Sequence, residues 1–195
     1  MPFAILGTDS TGAVGVGLAE GRAHLQDWFV HVELSTGAVA LTGGTEFVAG
    51  VAFGLLTKGL FPREAISQLT RDLVAVKDWQ MLLLDTKGRA AARSDPGCEP
   101  SFGQTTGTDH VAAGLALRSP NVIGAMSLSF ERSVGDALAE RLLFALESGD
   151  RAGSDLHGLR SAAIQVVSGD PALVLRLRLD DHPDPIAELR RLYRS

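Results

Sequence analysis

The chain opens on an apolar run from Phe3 to Leu6, a polar Thr8-Asp9-Ser10-Thr11-Gly12 turn, and a second apolar run from Ala13 to Ala19. Two apolar segments joined by a short turn predict a β-hairpin with both strands buried. Phe29 to Leu34 and Ala38 to Leu41, parted by Ser35-Thr36-Gly37, predict two further strands. The period then lengthens. Thr45 stands as an N-cap before an apolar stripe of Phe47, Val51, Leu55 and Leu56, and Gly59 is the stop. Pro62 suits the first turn of a second helix, with Ala65, Ile66, Leu69 and Leu73 at helical spacing.

Next, WQMLLLDTKGRAAARS predicts another hairpin about Asp85-Thr86-Lys87-Gly88, and Asp95 to Thr108 reads as loop. A third helix takes Ser119 as N-cap and Pro120 at its first position. A fourth takes Ser133 and Asp136 at capping-box spacing and buries Leu138, Leu142, Ala145 and Leu146. The last part holds the strands SAAIQVVS and ALVLRLRL, the second alternating Leu173, Leu175, Leu177 and Leu179 with Val174, Arg176 and Arg178. Asp184-Pro185 then starts a terminal helix that docks through Ile186, Leu189, Leu192 and Tyr193. Hairpins segregated from paired helices predict an α+β fold of antiparallel sheets covered by helices, not a doubly wound parallel sheet.

At 195 residues, with no linker-like composition break or repeat, a single domain spanning 1–195 is expected. A 45% apolar content supplies a core. The net charge of −5 argues against a nucleic-acid partner. The most apolar stretch, Phe47 to Leu56, is about half of the roughly twenty residues a membrane span needs. The lone Cys98 and the absence of a basic, then apolar, leader point to the cytosol.

Phosphate-binding GxxxxGK, GxSxG, HExxH and paired-cysteine motifs are absent, so no cofactor or metal is expected. Gly15 and Gly17 lie inside a strand, which favours close packing over dinucleotide binding. Of the five histidines, His182 stands out because Asp180, Asp181 and Asp184 surround it. That segment reads either as a cation site or as a turn and helix cap. Asp155, Arg160 and Ser161 offer a carboxylate, a guanidinium and a hydroxyl beside a Gly-rich loop, with an Asx turn as the structural alternative. Cys98 has no adjacent activating His and reads as an inert thiol.

The runs ESGDRAGSDLHGLRSAAIQVV and LDDHPDPIAELRRLY resemble the prokaryotic family known as domain of unknown function 1028, which is classed with the N-terminal-nucleophile (Ntn) hydrolases. The opening MPFAILGTDSTGAVGVGLAE, the helical LTKGLFPREAISQL, and the spacing of Cys98, Gly103, Gly107 and Gly114 extend the resemblance over nearly the whole chain. It implies a four-layer αββα sandwich and hydrolysis of a small amide by a Thr, Ser or Cys at the mature N-terminus. Members typically carry Thr after the initiator Met; here Pro2 stands at the nucleophile's position, with Ala4 where Ser is common.

Ser101, Gln104, His110 and Leu115 replace the family's usual Trp, His, Tyr and Asn, and Arg160 its usual Gln. The resemblance places Pro2, Asp155, Ser161 and His182 at the catalytic positions and Arg160, Asp180 and Asp181 around the substrate. Two readings stay open: an amide hydrolase, with a variant in which removal of Met1 exposes the Pro2 amine as base or nucleophile, and a non-catalytic descendant that binds a small ligand or a partner. Homo-oligomer contacts through edge strands or the Phe47 to Leu56 helix are a further expectation.

Overall fold

A computed structural model describes residues 2–25, 28–72, 79–98 and 102–195. Strands β1 (Pro2–Thr8) and β2 (Val14–Glu20) form the expected hairpin, whose turn is held by Asp9 Oδ1 accepting from the Thr11 and Ala13 backbone N–H groups. β3 (Trp28–Glu33), β4 (Gly37–Thr42), β5 (Gln80–Asp85) and β6 (Ala90–Ser94) make a four-stranded antiparallel sheet in the order β3-β4-β5-β6. β7 (Gly103–Gly107), β8 (His110–Gly114), β9 (Ser161–Val167) and β10 (Leu175–Leu179) join the first hairpin in a six-stranded sheet, ordered β10-β9-β2-β1-β8-β7. Every pairing in both sheets is antiparallel.

Strand alternation divides the apolar residues into layers. Phe3 and Ile5 face α3 (Asn121–Arg132), α4 (Leu138–Arg151) and α5 (Pro185–Tyr193), burying Met126, Leu142 and Leu189. Ala4, Leu6, Val14 and Val16 meet Ala38, Leu82 and Leu84 between the sheets. Val39, Met81 and Leu83 pack on α1 (Glu46–Thr57) and α2 (Pro62–Asp72). The result is a sandwich of helix, sheet, sheet and helix layers, as the sequence implied. No helix among the described residues is long and apolar enough to cross a membrane.

Several elements differ from the sequence reading. The segment read as loop up to Thr108 holds the edge strand β7, whose GQTTG carries no apolar alternation and is held by pairing with β8. In α1, Thr45 caps as expected, its Oγ1 accepting from Val48 N at 3.3 Å. The buried face is Ala49, Ala52, Leu55 and Leu56, however, while Phe47 is 78% exposed. Small alanines let α1 lie close to the sheet, and the bulkier Phe47 turns outward.

The Ser133/Asp136 capping box does not form. Ser133 Oγ donates to the carbonyls of Ser129 and Phe130 at the end of α3, and α4 begins at Leu138 without a side-chain cap. β10 begins at Leu175, because Asp170 and Pro171 set a short 3-10 turn over Pro171–Leu173. Leu73 and Ser101 lie outside the described residues.

Candidate functional site

Along the face between the sheets, the apolar alternation ends in polar residues at the end where β1 begins. In the six-stranded sheet Pro2 stands opposite Glu20, and Glu20 opposite Ser161. Glu20 and Ser161 continue the alternation of Val16, Leu18 and Ala163 and are fully buried. In the facing sheet, Thr42, Gln80 and Ser94 form one row across β4, β5 and β6, one step beyond the apolar Ala40, Leu82 and Ala92.

Gln80 ties the two sheets together. Its Nε2 donates to Ser94 Oγ at 2.8 Å and, across the layer, to the carbonyls of Gly103 at 3.3 Å and Gly114 at 3.4 Å. Gly114 is the partner of Phe3 in β1. Ser94 Oγ in turn donates to Gln104 Oε1 at 2.9 Å. The carbonyl acceptors fix which end of the side-chain amide is the nitrogen. Gln80 Oε1 is fully buried and accepts from no group among the described residues. A buried amide oxygen without a donor costs about 1–3 kcal/mol.

The site residues expected from the sequence gather at this same end, about the loop that follows β2. Ser161 Oγ donates to the Arg22 carbonyl at 2.8 Å, Arg160 N to the Glu20 carbonyl at 2.9 Å, and Asp181 N to the Ala23 carbonyl at 2.7 Å. Asp180 Oδ1 accepts from Leu25 N at 3.3 Å, and its Oδ2 accepts from Arg178 Nε at 3.0 Å. Burial pushes the Asp180 carboxyl up, but Arg178 and the Leu25 N–H outweigh it and hold the group below the usual carboxylate range.

Asp155 is fully buried, and its Oδ1 accepts from His157 N at 2.7 Å, which is the Asx-turn geometry. A Cβ added at Gly21 would stand 2.6 Å from the Gly158 carbonyl and 3.1 Å from Asp155 Oδ1, so only glycine lets the β2 loop lie against Asp155. Arg160 pairs with Asp181 at the surface. His182 Nδ1 accepts from Asp184 N at 3.1 Å, while Asp184 Oδ1 accepts from Ala187 N and caps α5. Asp180, Asp181 and His182 thus turn to different partners. Among the described residues no group of three His, Cys, Asp or Glu side chains is placed to hold a metal ion.

Gln80, Thr42 and Glu20 escaped the sequence reading. The available signal was a single polar residue at the end of each apolar alternation, as in Gln80-Met81-Leu82-Leu83-Leu84. Gly15 and Gly17 act in packing: a Cβ on either would press on Leu142 or Leu146 of α4. Cys98 Sγ lies 3.6 Å from the Trp79 carbonyl and donates to it.

A protein from Silicibacter pomeroyi, SPO2555, described as a DUF1028 protein, has a crystal structure that matches with a TM-score of 0.87 and 31% identity, covering 99% of this chain and 88% of that one. Anbu, an ancestral beta-subunit from Yersinia bercovieri, matches at a TM-score of 0.44 and 10% identity, covering 98% of this chain and 92% of that one. No curated protein matches. The model of the "Family of unknown function (DUF1028)" matches residues 2–189, and the chain belongs to that family.

Proposed function

We propose that this protein binds a small amide-bearing molecule between its sheets, at the end where β1 begins, and does not hydrolyse it. The observation that carries the reading is Gln80: its nitrogen is saturated by Ser94, Gly103 and Gly114, and its buried oxygen awaits a donor such as an amide N–H. The resemblance to Ntn hydrolases supports an amide as the ligand class, because their nucleophile stands at the start of this strand. Pro2 has no hydroxyl or thiol to attack with.

The hydroxyl of Ser161 is committed to the Arg22 carbonyl in the loop that walls the site, and the His182 ring to the Asp184 N–H in the turn before α5. Asp155, Arg160, Asp180 and Asp181 are positioning residues of that wall. The net charge of −5 and the lone Cys98 favour a cytosolic protein that does not bind nucleic acid.

Wild type and Pro2→Thr, each verified for N-terminal processing by intact mass, are compared on a panel of N-acyl amino acids and their amides. Wild type is expected to release no product above the protein-free rate. Turnover by wild type in proportion to its concentration overturns the non-hydrolytic reading, whether a side chain or the Pro2 amine is responsible.

A further inference from the structure

A cavity of about 390 Å³ lies at the far end of the six-stranded sheet, between the β1–β2 turn, the start of α4 and the last turn of α5. Its floor is apolar, built by Ala13, Leu138, Val166 and Leu175 against the helix-side core. Its lip carries apolar side chains that lie open to water: Val134 is 76% exposed, Val174 53% and Leu173 44%. A hollow of this size with an apolar floor and exposed apolar lip has the form of a small-molecule site.

The polar lining decides the sign of the ligand. Three acidic residues, Asp9, Asp109 and Asp136, line the cavity against a single basic one, Arg141. Arg141 is 5% exposed and spends its charge on the protein: Nε and Nη2 donate to the Phe130 carbonyl and Nη1 to the Thr8 carbonyl, with the Phe130 ring 3.8 Å beneath. The uncapped start of α4 adds about half a positive charge. Three carboxylates still outweigh both. Among the described residues they do not converge closely enough to hold a metal ion, so the negative charge is spread around the rim.

We propose that this cavity binds a small organic cation with an apolar body, such as a primary ammonium carried on an aryl-alkyl chain. The body covers Leu138 and Val166 and the lip, and the ammonium stays at the carboxylate rim, where water still reaches it. This site is separate from the inter-sheet end and does not depend on what binds there.

Calorimetric titration of the full chain at pH 7 with 3-phenylpropylamine, 3-phenylpropanol and 3-phenylpropionate holds the body constant and changes the head group. The ammonium should bind about tenfold more tightly than the carboxylate, with the alcohol between them, and the gap should shrink with added salt. Asp136→Asn, an exchange at an exposed loop position, should weaken the ammonium about threefold and leave the alcohol unchanged. Leu173→Ser on the lip should weaken all three probes alike. A carboxylate that binds as tightly as the ammonium, or an ammonium that does not saturate, overturns the proposal.

Discussion

His110 shows how one polar side chain is made to fit a core. It is fully buried against the Phe130 ring, with Nδ1 3.0 Å from the Thr108 carbonyl and Nε2 2.7 Å from Ser127 Oγ. A carbonyl only accepts, so Nδ1 carries the proton and Nε2 accepts from the serine in the neutral ring. Burial, the largest influence, lowers its pKa from 6.5, against the Thr108 carbonyl and the nearby Glu131 that raise it. The unfolded chain therefore binds the proton more readily. Stability from this group is complete above pH 6.5 and is lost as pH falls from there through the lower folded-state value. Urea unfolding of wild type and His110→Gln across this range should show wild type losing its advantage as the solution is acidified. Parallel pH curves would contradict the assignment. In the sequence, position 110 was marked only as a departure from the family's usual Tyr; Thr108 is a neighbour in the same turn, and Ser127 comes from a helix that only the fold brings to it.

Helix α4 illustrates what an element owes to its neighbours. Its apolar face, Leu138, Leu142, Ala145 and Leu146, is readable from spacing alone and is buried as expected. Its start is not readable, because Ser133 serves the preceding helix, whose last carbonyls it caps, and leaves α4 with Ala137 in the N-cap position. Ala137 has an extended backbone, φ −58° and ψ 143°, which suits a capping side chain. Ala137→Ser should raise the unfolding free energy by about 1 kcal/mol and Tm by about 2–4 °C, read by thermal denaturation. An unchanged or lower Tm would show that the N–H groups of the first turn are already satisfied. The same competition explains β7 and α1. A strand without apolar alternation is invisible until β8 pairs with it, and a helix face made of alanines is hidden by the larger Phe47 beside it.

For the whole molecule, antiparallel sheets covered by helices were legible because strands and helices leave a periodic trace, whereas the four-layer stacking came from the resemblance to the family. The candidate site was legible only in part. Asp155, Arg160 and Ser161, and Asp180, Asp181 and His182, fall in two short runs of sequence, and the fold brings them to the start of β1, around the loop after β2. Gln80, which spans to the opposite sheet, is marked in sequence only as the polar end of an apolar run, since Gly103 and Gly114 reach it only across the inter-sheet layer. The most direct test follows the Gln80 side-chain amide by NMR, assigned from the signal missing in Gln80→Met, while N-acetyl amino acid amides are titrated into the full chain. Binding between the sheets predicts a saturable shift of that resonance by at least one member of the panel. A Gln80 signal that stays in place throughout, while other resonances move or none do, would contradict the account.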